Sequence, residues 1–163
     1  MVHTRHMEDD NAPARIIVGI DGSDSSIDAL RAAARIATAM AARIDAVMTW
    51  EYPVRFPNPP GWSPESDAQA VLSDAVAKAF GTDLPAGINT AVLYGPPARV
   101  LIEQSEAADL LVLGSRGHGG FTGLLLGSVS TAVSQHAQCP VLITHHAEKS
   151  KITGRTHGDK AII

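Results

Sequence analysis

Five short apolar runs, each separated from the next by a stretch of helical period, constrain this chain more than any other feature. They span 16–21, 46–50, 88–94, 110–114 and 141–145. A strand apolar at successive positions is covered on both faces, which is the condition of a parallel sheet. Between runs one and two, Ile27, Leu30, Ala34, Ala37 and Met40 form one helical stripe behind the capping-type residues Ser23, Ser25 and Ser26. Ala68, Val71, Leu72, Ala75, Val76 and Ala79 repeat the spacing until Gly81 stops it. Pro96 and Pro97 suit the start of a third helix carrying Ala98, Leu101 and Ile102, and Val129, Ala132, Val133, His136 and Ala137 mark a fourth. The alternation predicts an α/β fold: a single-domain, doubly wound, five-stranded parallel sheet with helices on both faces. Right-handed crossovers leave two common strand orders. In the Rossmann-like order 3-2-1-4-5 the switch point lies between strands one and four; in the flavodoxin-like order it lies between strands one and three.

Composition narrows the function classes. The chain has 163 residues, close to the roughly 150 of one domain, with 45% hydrophobic and 18% charged residues. A net charge of −4 offers no broad basic face for a nucleic-acid backbone, so no nucleic-acid partner is expected. No apolar run approaches the roughly 20 residues that cross a bilayer, and residues 1–11 lack a signal-peptide core, so no membrane association and a cytoplasmic location are expected. The polar, aperiodic segments 1–14 and 148–163 read as a disordered N-terminal tail and a flexible C-terminal tail around a domain at 15–147. The single cysteine, Cys139, precedes Pro140 at a strand entrance and is expected to pack.

Polar chemistry collects after strand four, where five glycines fall within ten residues: Gly114, Gly117, Gly119, Gly120 and Gly123. Gly127 and Ser128 then open a helix. Such glycines are expected to serve backbone conformation and ligand approach rather than packing, and free helix-terminal amides favour an anion such as a polyphosphate. Neither the P-loop nor the dinucleotide fingerprint matches. Strand one ends in Asp21, which can accept hydrogen bonds from a ribose or an adenine amino group, stand near a phosphate-bound cation, or alternatively cap the first helix.

These residues resemble the universal stress protein family, specifically its ATP-binding branch. The resemblance runs from Arg15 to His145 and includes Asp21, Gly95-Pro96-Pro97-Ala98 and Cys139-Pro140-Val141. Its most specific element is the family motif G-x2-G-x9-G-(S/T), matched without gaps by Gly114, Gly117, Gly127 and Ser128. The resemblance implies strand order 3-2-1-4-5 and ATP at the switch point between strands one and four; Mg²⁺ is the cation that the leading functional reading would add to the phosphates. Asp21 would contact ribose, Leu113 and Gly114 would lie along the nucleoside, and Gly117, Gly127, Ser128 and Val129 would hold the phosphates. Gly19 and Thr49 would line the base, Thr49 by strand alignment. It also implies a homodimer through strand five, whose apolar edge Val141-Leu142-Ile143 is an association hazard unless covered.

The function expected is that of a nucleotide-dependent stress-response regulator. No recognisable triad implies efficient turnover, and the alternative is a slow ATP hydrolase or an adenylyl-transferring enzyme. A flavodoxin-like carrier would need its phosphate loop after strand one, where Asp21 and Asp24 lie; a receiver domain would need an aspartate at the end of strand three, which reads Leu93-Tyr94-Gly95. No metal site is expected of His145-His146, since neighbours on a strand face opposite ways. Arg116 and His118 are candidates for a phosphate, His136 for packing or a helix-dipole contact. The proline-rich stretch 51–64, with Tyr52, Phe56 and Trp62, either covers a base or packs its aromatics locally.

Overall fold

The computed structural model describes residues 12–53, 59–117 and 125–146. The tails expected at 1–14 and 148–163 fall mostly outside them, as do Phe56, His118, Gly119, Gly120 and Gly123. Five strands, β1 (Arg15–Gly19), β2 (Arg43–Trp50), β3 (Ile88–Tyr94), β4 (Leu110–Gly114) and β5 (Val141–Thr144), form one parallel sheet in the order β3-β2-β1-β4-β5. The helices α1 (Asp24–Met40), α2 (Pro64–Phe80), α3 (Pro97–Ser105) and α4 (Ser128–His136) complete the alternation. The open choice of strand order is thereby settled as 3-2-1-4-5.

Strand alternation divides the core into two layers. Ile16 and Val18 of β1, Ile44 and Ala46 of β2 and Val112 of β4 meet Leu30 of α1 and Leu72 of α2. Ile17, Val47, Leu111 and Leu113 point the other way, to Leu101 of α3 and Val133 of α4. Ala29, Ala33 and Ala37 on α1 and Ala68 and Ala75 on α2 are buried, and their small side chains let both helices lie close to the sheet. The helical stripes are wider in sequence than in contact. Met40, at the last turn of α1, is 47% exposed and Val71 is 37% exposed.

The element ends depart from the sequence reading where a distant partner decides. β2 begins three residues before the apolar run, since the charge of Asp45 is met from the adjacent strand: Arg15 Nε donates to its Oδ2 at 2.5 Å and Asn89 Nδ2 to its Oδ1 at 3.1 Å. Burial alone would raise the Asp45 carboxyl, but these hydrogen bonds and the Arg15 charge outweigh it and hold the group below its ordinary range. Arg15 also reaches Gln104 at 3.0 Å, so this network fastens the amino ends of β1, β2 and β3 to α3. β1 leaves the sheet after Gly19, and Asp21 therefore stands in a turn. β5 ends at Thr144, which places His145 and His146 beyond the strand, and His146 Nδ1 lies 2.6 Å from Asp28 Oδ2 on α1. The sheet has two edges. β3 exposes Asn89, Thr90 and Tyr94, whereas β5 exposes Leu142.

Candidate functional site: a cleft at the switch point

β1 has β2 on one side and β4 on the other, so the chain leaves the sheet in opposite directions from β1 and β4. Ligands of doubly wound sheets enter the crevice this reversal creates. Here it is a cleft of about 490 Å³. Its floor is Gly19, Ile20 and Asp21 after β1 and Leu113 and Gly114 from β4. Val47, Met48 and Thr49 of β2, with Pro97 and Leu101 of α3, form an apolar wall. Arg116, Gly117 and the start of α4, Gly127 to Ser130, form the opposite, polar wall. All nine residues expected to hold a ligand (Gly19, Asp21, Thr49, Leu113, Gly114, Gly117, Gly127, Ser128 and Val129) line this one cleft. Arg116 lines it too, and Ser26, Pro97, Leu101 and Ser130 join without having been expected.

The start of α4 is built to meet a negative group. Gly127 is its N-cap, and no side chain caps the helix. The Gly127 N–H donates to Ser115 C=O at 2.7 Å, and Thr131 N–H returns to Gly127 C=O at 2.9 Å. The amides of Ser128, Val129 and Ser130 between them have no hydrogen-bond partner among the described residues. They carry the positive end of the helix dipole at the cleft wall.

The glycines serve different purposes, which corrects the expectation that they serve backbone conformation and ligand approach rather than packing. None of Gly114, Gly117 and Gly127 has positive φ. A Cβ on Gly114 would collide with Ser25, including its carbonyl carbon at 2.7 Å, so this glycine lets the first turn of α1 press on the end of β4. A Cβ on Gly117 would strike the Asp21 carboxylate, and one on Gly19 would strike Leu113. At Gly127 the nearest atoms to a Cβ, all 3.7 Å away, are at ordinary contact distance. Neither the backbone, at φ −73°, nor the packing requires glycine there.

Asp21 braces the β1–α1 turn. Its Oδ1 accepts from Ser23 N–H at 2.9 Å and from Ser23 Oγ–H at 2.6 Å, while Oδ2 faces Gly117. The cap itself is Ser23, whose Oγ accepts from Ser26 N–H at 3.2 Å. Ser25 Oγ, wedged beside Gly114, is buried without a hydrogen-bond partner. Away from the cleft, the Trp62 indole donates to Asp67 at 2.7 Å, and Trp50 packs edge-on against Tyr52 and Tyr94 with ring centres 5.2 and 5.0 Å apart. These described aromatics pack locally, and none forms the cleft wall. His136 is exposed at the last residue of α4, which leaves the helix-dipole role and removes the packing one. Cys139 is half-buried, and burial and then the nearby Asp109 charge push its thiol pKa up, away from reactivity. Among the described residues no group of three or more His, Cys, Asp or Glu side chains could hold a metal ion, and no helix is long and apolar enough to cross a membrane.

A parallel sheet in this order, with an uncapped helix start facing the crevice at its switch point, defines an α/β domain of the mononucleotide-fold class. The universal stress protein family model matches residues 14–145, and the chain belongs to that family. Universal stress protein Rv2623 of Mycobacterium tuberculosis is 35% identical over 149 residues, covering 87% of this chain and 50% of its own length. The chain thus spans about half the length of the mycobacterial relatives it first matches. Universal stress protein MJ0531 of Methanocaldococcus jannaschii is 32% identical, with 86% of each chain covered. A universal stress protein solved in complex with cAMP superposes with a TM-score of 0.59 at 32% identity, covering 82% of this chain and 98% of the other.

Proposed function

We propose that the chain binds ATP, with Mg²⁺ carried on the phosphates, in the switch-point cleft, and works in the cytoplasm as a nucleotide-dependent regulator of the stress response rather than as an enzyme. The observation that carries this reading is the wall at α4: three amides without partners among the described residues, beside a glycine that neither packing nor backbone requires. Phosphates use the amides and the space above Gly127, with Arg116 adding a positive charge. The apolar wall of Val47, Pro97 and Leu101 suits a base, and Asp21, which also lines the cleft, is the proposed ribose contact. Regulation follows from differential affinity, since a ligand that binds one conformation more tightly shifts the population towards it. The alternative of slow hydrolysis or adenylyl transfer requires a group placed to activate water or an acceptor, and a substrate-dependent turnover assay separates the two.

A second ligand reading, a cyclic nucleotide, is favoured by the relative solved with cAMP. Mass spectrometry of ligand released from freshly purified protein, followed by melting with ATP, cAMP and adenosine, decides between them. ATP at roughly 100 times its dissociation constant is expected to stabilise the fold by about 2.7 kcal/mol. Absence of any shift with either nucleotide would reject the cleft as a nucleotide site.

The proposal includes a homodimer through β5. Val141 and Ile143 pack towards the α3–α4 layer, so a lysine at either would damage folding as well as association. Leu142 is 36% exposed and is the better probe. Leu142→Lys is expected to convert a dimer to a monomer in sedimentation velocity with unchanged circular dichroism. A native protein that sediments only as monomer at micromolar concentration contradicts the pairing.

A further inference from the structure

We infer that Ser130 is a positioning residue of the cleft, whose hydroxyl fixes the first turn of α4 against the end of β4 and so sets the aim of the free amides. The inference rests on the anion-binding reading above and assigns the residue that maintains it. Ser130 is 5% exposed, and its Oγ–H donates to Gly114 C=O at 2.7 Å. Three residues earlier, the Gly127 N–H donates to the next carbonyl, Ser115, at 2.7 Å. Two short bonds from one helical turn to consecutive carbonyls oppose both rotation of the helix about its axis and sliding along it. Ser115, itself buried, donates its N–H to Thr144 C=O at 2.7 Å, so the anchoring strand end is held from its far side. Of the two clasps, one is backbone and survives any substitution but proline. The other is Ser130 alone.

The attraction between amide dipoles and an anion depends on distance and angle, and donors held in place before the ligand arrives need no reorganisation when it binds. Loss of the Ser130 clasp therefore weakens the hold on phosphates. The apolar wall that faces the base belongs to β2 and α3 and does not depend on that clasp. Adenosine and ATP respond differently for this reason.

The test is the ratio of ATP to adenosine affinity, measured by calorimetry on the native protein and on variants with native circular dichroism. Ser130→Ala is expected to lower the ratio about tenfold, the worth of one net hydrogen bond, with adenosine affinity changed less than about twofold. Ser130→Thr keeps the hydroxyl and is expected to restore the ratio. Ser130→Cys, which preserves volume and leaves only a weak donor, reads the same ratio where alanine impairs folding. Equal loss for both ligands, or an unchanged ratio in the folded alanine or cysteine variant, overturns the positioning role. A native protein that holds ATP no better than adenosine removes the anion-binding reading itself, and Ser130's role with it.

Discussion

Gly127→Asp is expected to abolish the ATP-induced rise in melting temperature that the proposed site predicts, and to leave the fold at least as stable as the native protein. The reason lies in the cap position. Aspartate is among the best N-caps, better than glycine, because its carboxylate accepts from the amide two or three residues on. At position 127 those amides are Val129 and Ser130, which have no partner among the described residues. The new side chain has room, since the nearest atoms to its Cβ stand 3.7 Å away. It would thus fill the proposed anion site with an anion of its own, stabilising α4 while occluding and repelling phosphates. With about 2.7 kcal/mol of ligand stabilisation at roughly 100 times the dissociation constant, and about 2–4 °C per kcal/mol for a chain of this size, the native shift is expected to be several degrees and the variant's none. An undiminished ATP shift in the variant would place the phosphates elsewhere.

The second large effect falls on the neighbouring glycine and has the opposite character. Gly114→Ala is expected to destabilise folding by about 1–3 kcal/mol or more, the range for overpacking a filled core. Its Cβ would meet the Ser25 carbonyl carbon at 2.7 Å, and a backbone atom in the first turn of a 17-residue helix cannot swing aside as a side-chain tip can. Relief requires α1 to move away from β4, opening the layer that contains Leu30 and Val112. Chemical denaturation of Gly114→Ala and Gly127→Ala side by side measures the difference. Gly127→Ala should cost only the difference in capping preference between the two residues. Equal destabilisation of the two would contradict the assignment of one glycine to packing and the other to the cleft.

The contrast between these glycines shows where the sequence was legible. The alternation of runs and stripes reads locally, and it foretold five strands and four helices, though not every position of their buried faces. The motif spacing placed Gly127 and Ser128 at a helix start, again a local matter. Strand order was not decided by the residues alone, because both doubly wound orders satisfy the same pattern, and the family resemblance selected between them. What stayed hidden depends on partners far along the chain. Ser25 explains Gly114 from 89 residues away, and Arg15 admits Asp45 into a strand from 30 residues away. Ser130 passed as one more small polar residue after the motif, since nothing in its neighbourhood announces that its hydroxyl is spent on Gly114 C=O. Asp21 offered two roles on paper, ribose contact and helix cap. In the fold it serves the cap indirectly, by holding Ser23, while still bordering the cleft.

The unequal edges of the sheet bear on how far assembly could proceed. A domain with two adhesive edges stacks head to tail without limit, as heterologous contacts that do not close run on into filaments. Here Leu142 makes one edge apolar, while the other begins with the exposed polar pair Asn89 and Thr90. If β5 pairs with β5 about a two-fold axis, each copy consumes the other's apolar edge and what remains outward is β3. Growth would then terminate at two, and the arrangement of a few side chains at opposite rims of one sheet would set a stoichiometry as well as a surface.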